Sequence, residues 1–329
     1  MERLIVLCGL FCIAAATVPT VKLNDGRDMP SLALGTWLGF NSKGGRVESA
    51  GNEVEQAVLW ALESGYTHID TAFIYQIEDQ VGRALEKKFK EGLKREAIFV
   101  TTKLWNDAHA KDAVVPALRR SLENLKLDYV DLYLIHWPVG QFNNGTYDYT
   151  DFVETWRGMI EAKKLGLAKS IGVSNFNKQQ IGRLLEQGLE KPAALQVELN
   201  LNLQQPELLA YCKEQNIAVM GYTPFGSLFY GKATADAPAP RVDDPSLVAI
   251  ANKYNKTVPQ VNLRYLYEIG VIPLPKSLTK SRIEQNINIF DFELTAEERE
   301  MLKGFDKRYR TIAQSKWMDH PYFPFEKKE

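Results

Sequence analysis

The sequence predicts an α/β fold of the (β/α)8 barrel class. Short apolar segments alternate with longer segments of helical periodicity about eight times between residues 31 and 289, without a linker or a shift in composition. Strands that alternate with helices form parallel sheets covered by helices. So many units in one uninterrupted run favour a closed barrel over an open doubly wound sheet, and 329 residues suit one barrel domain.

The first residues have the pattern of a secretory signal peptide. A charged start, Met1-Glu2-Arg3, precedes an apolar run over residues 4–16 that ends in small residues and is too short to span a bilayer. We expect cleavage near Thr17, which divides the chain into a signal at 1–17 and one domain at 18–329. The mature protein is then expected to be secreted, without membrane association. A buried N-terminal segment is the alternative, with the ER lumen or the cytoplasm as location.

Composition excludes some classes of partner. Lys plus Arg number 40 and Asp plus Glu number 41, so the net charge of -1 lacks the basic footprint of a nucleic-acid binder. Cleavage of the signal would remove Cys8 and Cys12 and leave Cys212 alone, so the fold must be held by its core. Asn144 and Asn255 begin possible glycosylation triplets.

The individual elements follow from their patterns in chain order. An Asp25-Gly26 turn between short apolar runs predicts an N-terminal β-hairpin, expected to close one end of the barrel. Apolar runs predict barrel strands at 31–35, 68–71, 98–102, 129–135, 170–173, 195–197, 218–222 and 271–275. Apolar residues spaced three and four apart predict helices at 52–64, 79–89, 110–125, 151–165, 178–187, 205–215, within 245–254, at 259–268 and at 282–289. Residues 225–244 form a long irregular loop, and 306–329 form an aromatic tail beyond the barrel.

Four proton-handling side chains follow neighbouring predicted strands. Asp70 and Tyr75 come after one strand, Lys103 after the next, and His136 after the one following. The carboxyl ends of barrel strands form the active face, so we expect these side chains to converge. A buried ammonium beside a tyrosine should lower its pKa from about 10, with an aspartate as counter-charge and a histidine orienting a carbonyl. Such a set predicts a general acid for ketone reduction.

Each of the four residues also has a purely structural interpretation. Tyr75 alone would more often be a packing residue, and Asp70 could be only a turn or capping residue. Lys103 and His136 lie between apolar residues, where charge is costly unless paired, so a catalytic set explains them better. The 4 histidines lack the spacing of a zinc site, and no Gly-x-Ser-x-Gly turn occurs, so we predict neither a metal site nor a serine nucleophile.

Motifs on most of the predicted strands form a recognisable set. They are Leu34-Gly35-Thr36-Trp37, His68-Ile69-Asp70-Thr71-Ala72, Tyr75, Thr102-Lys103-Leu104-Trp105, Ile135-His136-Trp137-Pro138, Ile171-Gly172-Val173-Ser174-Asn175-Phe176, Gln196-Val197-Glu198 and Ile272-Pro273-Leu274-Pro275-Lys276-Ser277. With these motifs the sequence closely resembles the aldo-keto reductase family, from about Val21 to its C-terminal end.

The resemblance implies an NADPH-dependent carbonyl reductase. Tyr75 would be the general acid, supported by Lys103 and Asp70, and His136 would orient the carbonyl. The cofactor would lie extended across the barrel mouth, which accounts for the absent Gly-x-Gly-x-x-Gly turn of Rossmann proteins. The implied cofactor residues are Thr36, Trp37, Ser174, Asn175, Gln196, Tyr222, Lys276, Ser277, Arg282, Gln285 and Asn286.

Within that set, different residues have different implied partners. Ser174, Asn175 and Gln196 would hold the nicotinamide amide, and Tyr222 would stack on its ring. Residues 276, 277 and 282 would bind the 2′-phosphate, since two cations and a hydroxyl suit a dianion. A solvated surface cluster is the alternative for the two cations. Many relatives carry a glutamate where this chain has Gln285, so we expect altered affinity for the adenine.

The expected substrate is an apolar carbonyl compound. Trp37, Trp105 and Trp137, with His136, would line the pocket, and the long loop and the tail would form its rim. Insect 3-dehydroecdysone reductases, which are secreted members of the family, are similar in this respect, so a steroid ketone is one candidate. A broad-specificity aldehyde reductase and a non-catalytic NADPH- or ligand-binding protein are the alternatives. Core packing is the alternative for the tryptophans, and we expect a monomer.

Overall fold

Eight parallel strands form the central sheet of the protein. The computed structural model describes residues 18–41, 45–231 and 233–326. Within these ranges the 8-stranded sheet has the order β12-β11-β10-β9-β6-β5-β4-β3. Its strands are β3 (Leu34–Gly35), β4 (His68–Asp70), β5 (Phe99–Leu104), β6 (Val130–Ile135), β9 (Ala168–Ser174), β10 (Ala194–Glu198), β11 (Ala218–Tyr222) and β12 (Val271–Pro273).

The two edges of this sheet meet, so the barrel is closed. The backbone N–H of Gly35 donates to the Pro275 oxygen at 3.0 Å, and that of Ala33 donates to the Pro273 oxygen at 3.3 Å. A closed sheet leaves no unpaired strand edge. The predicted barrel class is therefore confirmed.

Helices cover the outside of the barrel between successive strands. They are α1 (Glu53–Glu63), α2 (Glu78–Lys90), α3 (Lys111–Leu125), α4 (Phe152–Lys164), α5 (Lys178–Glu186), α6 (Pro206–Glu214), α7 (Pro245–Lys253), α8 (Val258–Glu268), α9 (Lys280–Ile287) and α10 (Ala296–Lys303). The main core lies between these helices and the sheet, and it is built from aliphatic side chains on the inner helix faces, such as Val54, Ala57 and Val58 of α1. No helix in the described ranges is long and apolar enough to cross a membrane.

An N-terminal hairpin closes the amino end of the barrel, as predicted. Its strands β1 (Thr20–Lys22) and β2 (Asp28–Pro30) pair antiparallel. Leu23 and Met29 pack against side chains that fill the barrel interior. The Asn24 side chain donates to the oxygens of Pro192 and Asn216, which precede β10 and β11. The carboxyl ends of the strands are thus left for the site.

Several elements differ from the prediction. The first barrel strand is only Leu34–Gly35, and β5 continues through Lys103 to Leu104, so Lys103 lies within its strand. A second hairpin, β7 (Gly140–Gln141) and β8 (Tyr147–Asp148), was not predicted because its strands have two residues each. Helix α10 was also missed, because it is largely polar and buries only Leu302.

The C-terminal tail crosses the carboxyl end of the barrel. The N–H groups of Lys307 and Tyr309 donate to the Asn202 oxygen at 3.1 and 2.9 Å. Further on, the Trp317 indole donates to Gln141 of the β7–β8 hairpin at 3.0 Å. The tail and this hairpin together cover one side of the barrel mouth. Residues 1–17, where the signal peptide is predicted, lie outside the described residues.

Candidate active site

The four predicted catalytic residues converge at the carboxyl end of the barrel. The Lys103 ammonium donates to Asp70 Oδ1 at 2.7 Å and lies 3.4 Å from the Tyr75 hydroxyl. The Tyr75 and His136 rings meet edge to face, with centroids 5.8 Å apart. A substrate oxygen placed between Tyr75 and His136 would therefore meet two potential proton donors.

The local sequence accounts for the position of the tyrosine. Strand β4 ends at Asp70, and one 3-10 turn over Phe73–Tyr75 follows. The turn stops at Gln76, which has a left-handed backbone with φ 54°. The Arg46 guanidinium donates to the Tyr75 backbone oxygen at 2.8 Å and also bonds the Gln76 side chain. The hydroxyl is thus carried by a short turn that is fixed from both sides.

Lys103 and Asp70 form a buried ion pair, and each of the two side chains has a further hydrogen-bond partner. Their side chains are 0% and 4% exposed. The ammonium also donates to the Thr71 oxygen at 2.8 Å, and Gln196 Nε2 donates to Asp70 Oδ2 at 2.7 Å. Burial raises the pKa of Asp70 and lowers that of Lys103, and each charge opposes the shift of the other. A buried pair is tolerated only with such additional hydrogen bonds.

The direction of the Tyr75 pKa differs from the expectation. Burial, and then the negative charge of Asp70, raise the pKa of Tyr75 well above its usual value. The sequence-based argument considered the charge of the lysine but not the burial of the hydroxyl, which is the largest cause of the shift, nor the charge of Asp70. Tyr75 is consequently protonated at neutral pH and can donate a hydrogen bond or a proton.

His136 is a neutral imidazole at the same end of the barrel. Burial, and then the positive charge of Lys103, lower its pKa well below the usual value. Its backbone is held by the Leu104 oxygen at 3.1 Å and by Asn175 Nδ2 at 3.0 Å. Its buried Nδ1 has no partner among the described residues. A neutral ring has one N–H to donate, which suits orientation of a carbonyl oxygen.

Several predicted cofactor residues surround this group. Tyr222, the last residue of β11, donates from its hydroxyl to Asn175 Oδ1 at 2.7 Å, and Asn175 Nδ2 also reaches Ser174 Oγ at 3.2 Å. The hydroxyl of Thr36 donates to the backbone oxygen of Asp70 at 2.9 Å. Asn175 has a left-handed backbone with φ 60°. These polar groups lie beside the proton-handling set, and their role in cofactor binding stays a prediction.

The predicted phosphate-binding residues lie after β12 and in α9. The buried Ser277 hydroxyl accepts from the Thr279 N–H at 3.0 Å, just before the helix begins. Arg282 in the first turn is exposed and has no ion pair within the described ranges. Gln285 is exposed, whereas Asn286 is buried on the core side. The exposed Gln285 is therefore better placed to contact an adenine than the buried Asn286.

The three predicted pocket tryptophans do not lie in equivalent places. Trp37 is half-buried with its ring 4.9 Å from Tyr75, and Trp105 is half-buried with its ring 5.3 Å from His136. Trp137 is 4% exposed, and its ring is 5.1 Å from Trp317 of the tail. The first two can contact a substrate directly, whereas Trp137 supports the tail.

Sequence comparison decides the family. The sequence profile described as "Aldo/keto reductase family" matches residues 31–307. The chain belongs to the aldo/keto reductase family. It is 50% identical to "Aldo-keto reductase AKR2E4" of Bombyx mori, over 94% of this chain and 99% of that protein. It is 43% identical to "Aldo-keto reductase family 1 member A1-A" of Danio rerio, over 93% and 98%.

Solved structures of aldo-keto reductases share the fold. Bombyx mori AKR2E4 in complex with NADP superposes with a TM-score of 0.89 at 49% identity, over 94% of this chain and 100% of that one. AKR2E5 complexed with NADPH has a TM-score of 0.91 at 42% identity, over 94% of each chain. This aldo-keto reductase is therefore confirmed as an oxidoreductase of the predicted family and fold.

Two residues of the site were not identified from the sequence. Glu198 ends β10 with no exposed surface, and Arg46 holds the backbone at Tyr75. The signal for Glu198 was present, since a charged residue ends an apolar strand just as Asp70 does. Arg46 lies in an irregular loop, where nothing in the sequence indicates its partner.

Proposed function

We propose that this aldo-keto reductase reduces apolar ketones or aldehydes with NADPH, and that Tyr75 protonates the carbonyl oxygen. One observation carries the proposal: a Tyr75 hydroxyl kept protonated by burial lies 3.4 Å from the Lys103 ammonium, beside a neutral His136. Donors preorganised where negative charge develops are a major source of catalysis. The full set argues against a non-catalytic binding protein, which has no need of it.

The residues at the barrel mouth suit NADPH. The complexes of AKR2E4 with NADP and of AKR2E5 with NADPH support the same cofactor here. Gln196 donates its amide N–H to Asp70, which leaves its oxygen to accept from a carboxamide. Lys276, Ser277 and Arg282 supply two cations and a hydroxyl for a 2′-phosphate. NADPH, when bound, supplies the hydride for the carbonyl carbon.

The protein's own groups manage the proton. His136 donates one N–H to the substrate oxygen and orients it, while Tyr75 gives its hydroxyl proton as negative charge appears on that oxygen. The Lys103 ammonium then faces the tyrosinate and stabilises it. Asp70 keeps the lysine charged and in place through its 2.7 Å contact.

The walls of the site favour apolar substrates. Trp37 and Trp105 flank Tyr75 and His136, and both rings are half-buried. Aromatic walls with a few convergent polar groups are typical of sites for apolar ligands. A steroid or ecdysteroid 3-ketone is the specific substrate that we propose, with general aldehyde reduction as the broader activity. Turnover rates of a 3-dehydroecdysteroid, an aromatic aldehyde and an aliphatic aldehyde discriminate the two, since uniform turnover of all three would refute the steroid assignment.

Replacement of the tyrosine tests the proposed role. In Tyr75→Phe we expect turnover to fall about 100-fold or more, because general acid catalysis contributes at least that factor. Binding of NADPH, followed by its fluorescence, should be retained. Tyr254→Phe is the matched control, because the Tyr254 hydroxyl bonds Glu298 on the outer surface. Wild-type turnover in Tyr75→Phe would refute the proposal.

A further inference from the structure

A carboxylate outside the catalytic set lies at the same end of the barrel. Glu198 is the last residue of β10, pairs in register with Tyr222, and follows Gln196 by two positions. Alternate residues of a strand face the same side, so Glu198 and Gln196 face the same way. The Glu198 side chain therefore lies on the same face of β10 as Gln196, a predicted cofactor-binding residue.

Both oxygens of this carboxylate bind the backbone of the C-terminal tail. The N–H of Thr311 donates to Oε1 and that of Ile312 donates to Oε2, each at 2.8 Å. Asn200 Nδ2 also donates to Oε1 at 3.2 Å. Two successive backbone N–H groups of the tail thus bind the two oxygens of one carboxylate. Hydrogen bonds to a charged acceptor are stronger than those between neutral groups.

Burial of the Glu198 carboxylate costs free energy of desolvation, which its hydrogen bonds must offset. Glu198 is 0% exposed, and no cation lies within ion-pair distance of it in the part of the chain that the structure describes. Burial raises its pKa, and the hydrogen bonds from Ile312 and Thr311, followed by the positive charge of Arg310, oppose that shift. A buried carboxylate is destabilising unless such hydrogen bonds and charges compensate for its desolvation.

The tail segment fixed by Glu198 reaches the aromatic wall of the site. Ile312 packs against the cluster of Trp137, Val139 and Trp317, and Trp105 packs against the same cluster. The rings of Trp105 and Trp317 are 6.1 Å apart, and Trp105 touches His136 edge to face. A continuous set of contacts thus joins the carboxylate to the wall beside the catalytic histidine.

We propose that Glu198 is a positioning residue for the carbonyl substrate, because its two hydrogen bonds to Thr311 and Ile312 align the tail with the aromatic wall. This inference rests on the proposed reductase function and adds a determinant of substrate binding to it. Within the described residues, the Glu198 carboxylate has no hydrogen bond or ion pair with Tyr75, Lys103 or His136. Its loss should therefore weaken substrate binding while NADPH binding is retained.

Glu198→Gln tests the inference with a side chain of the same shape. An amide offers one acceptor instead of two, and its NH2 group would face a backbone N–H. Since hydrogen bonds to charged groups are worth about 1.5–3 kcal/mol, we expect KM for the ketone to rise about 10-fold or more. The dissociation constant of NADPH should stay near the wild-type value. Amide hydrogen exchange should accelerate across residues 309–326 and remain unchanged in the barrel strands.

Asp131→Asn is the matched control. Asp131 Oδ2 accepts from the Val100 N–H at 2.9 Å and pairs with Arg95, away from the tail. This variant should lose stability without a rise in KM or faster exchange of the tail. An equal rise in KM in both variants would attribute the effect to general destabilisation and overturn the inference.

Two readouts must agree for Glu198 to have this role. If KM or tail exchange in Glu198→Gln stays at the wild-type value, the inference is wrong, whereas the proposed function stands as long as the wild-type enzyme reduces carbonyls. Absence of wild-type turnover would instead refute the proposed function, and tail exchange alone would then decide whether Glu198 holds the tail.

Discussion

Ionisable side chains buried at strand ends are the residue-scale feature that made this site predictable. Asp70, Lys103 and His136 interrupt apolar strands, and the structure brings them together with Tyr75. The direction of the Tyr75 pKa shift was not predictable, because it depends first on the depth of burial of the hydroxyl and then on the charge of Asp70. The strand pattern predicts the backbone position of a residue, but it does not predict how far the side chain is shielded from water.

A second buried histidine carries a prediction about pH. His109 has no exposed surface, and neither ring nitrogen has a partner within the described residues. Burial lowers its pKa to about 4, opposed by the charge of Asp148 and reinforced by that of His320. The unfolded chain therefore binds a proton that the folded one does not. The associated stability is complete above about pH 6.5 and is lost as pH falls toward 4.

Comparison with His109→Gln measures this contribution. Between pH 7 and pH 5 the wild-type free energy of unfolding should fall by about 2 kcal/mol more than that of the variant, from 1.36 kcal/mol per pKa unit. Chemical denaturation at both pH values gives the difference, in which other titrating groups cancel. Equal losses in the two proteins would mean that His109 is hydrated or already paired.

At the scale of elements, apolar runs and helical spacing located the barrel units. Strand β11 was predicted with the bounds that the structure shows, Ala218–Tyr222. Helix α10 and the β7–β8 hairpin were missed because their short or polar segments owe their shape to tertiary contacts. The Thr295–Glu298 capping box marks the start of α10 and could have indicated the helix. It was overlooked because the segment has few apolar residues at helical spacing.

Helix α9 carries a prediction about cofactor preference. Arg282 lies exposed in its first turn, close after Ser277. If it binds the 2′-phosphate, Arg282→Ala should raise KM for NADPH about 10-fold or more and leave KM for NADH unchanged, because only NADPH carries that group. Arg157→Ala, on the exposed face of α4, is the matched control. Equal effects on both cofactors would exclude this role.

At the scale of the whole molecule, closure of the barrel explains why distant residues share one site. Eight strands place the ends of β4, β5, β6, β10 and β11 around one mouth, and the tail covers part of it. The number of units was predictable from the sequence, whereas the path of the tail was not, because it depends on single contacts such as Glu198 to Ile312. Secretion remains a prediction, which N-terminal sequencing of protein from culture medium would test.

The central claim is hydride transfer from NADPH to a carbonyl carbon with Tyr75 as proton donor. We would supply NADPH with deuterium at both C4 positions of the nicotinamide, together with an apolar ketone, and analyse the alcohol by mass spectrometry and NMR. The account predicts deuterium on the former carbonyl carbon, in product formed by the wild-type enzyme and nearly absent with Tyr75→Phe. Alcohol without deuterium, or no alcohol although NADPH binds, would contradict it.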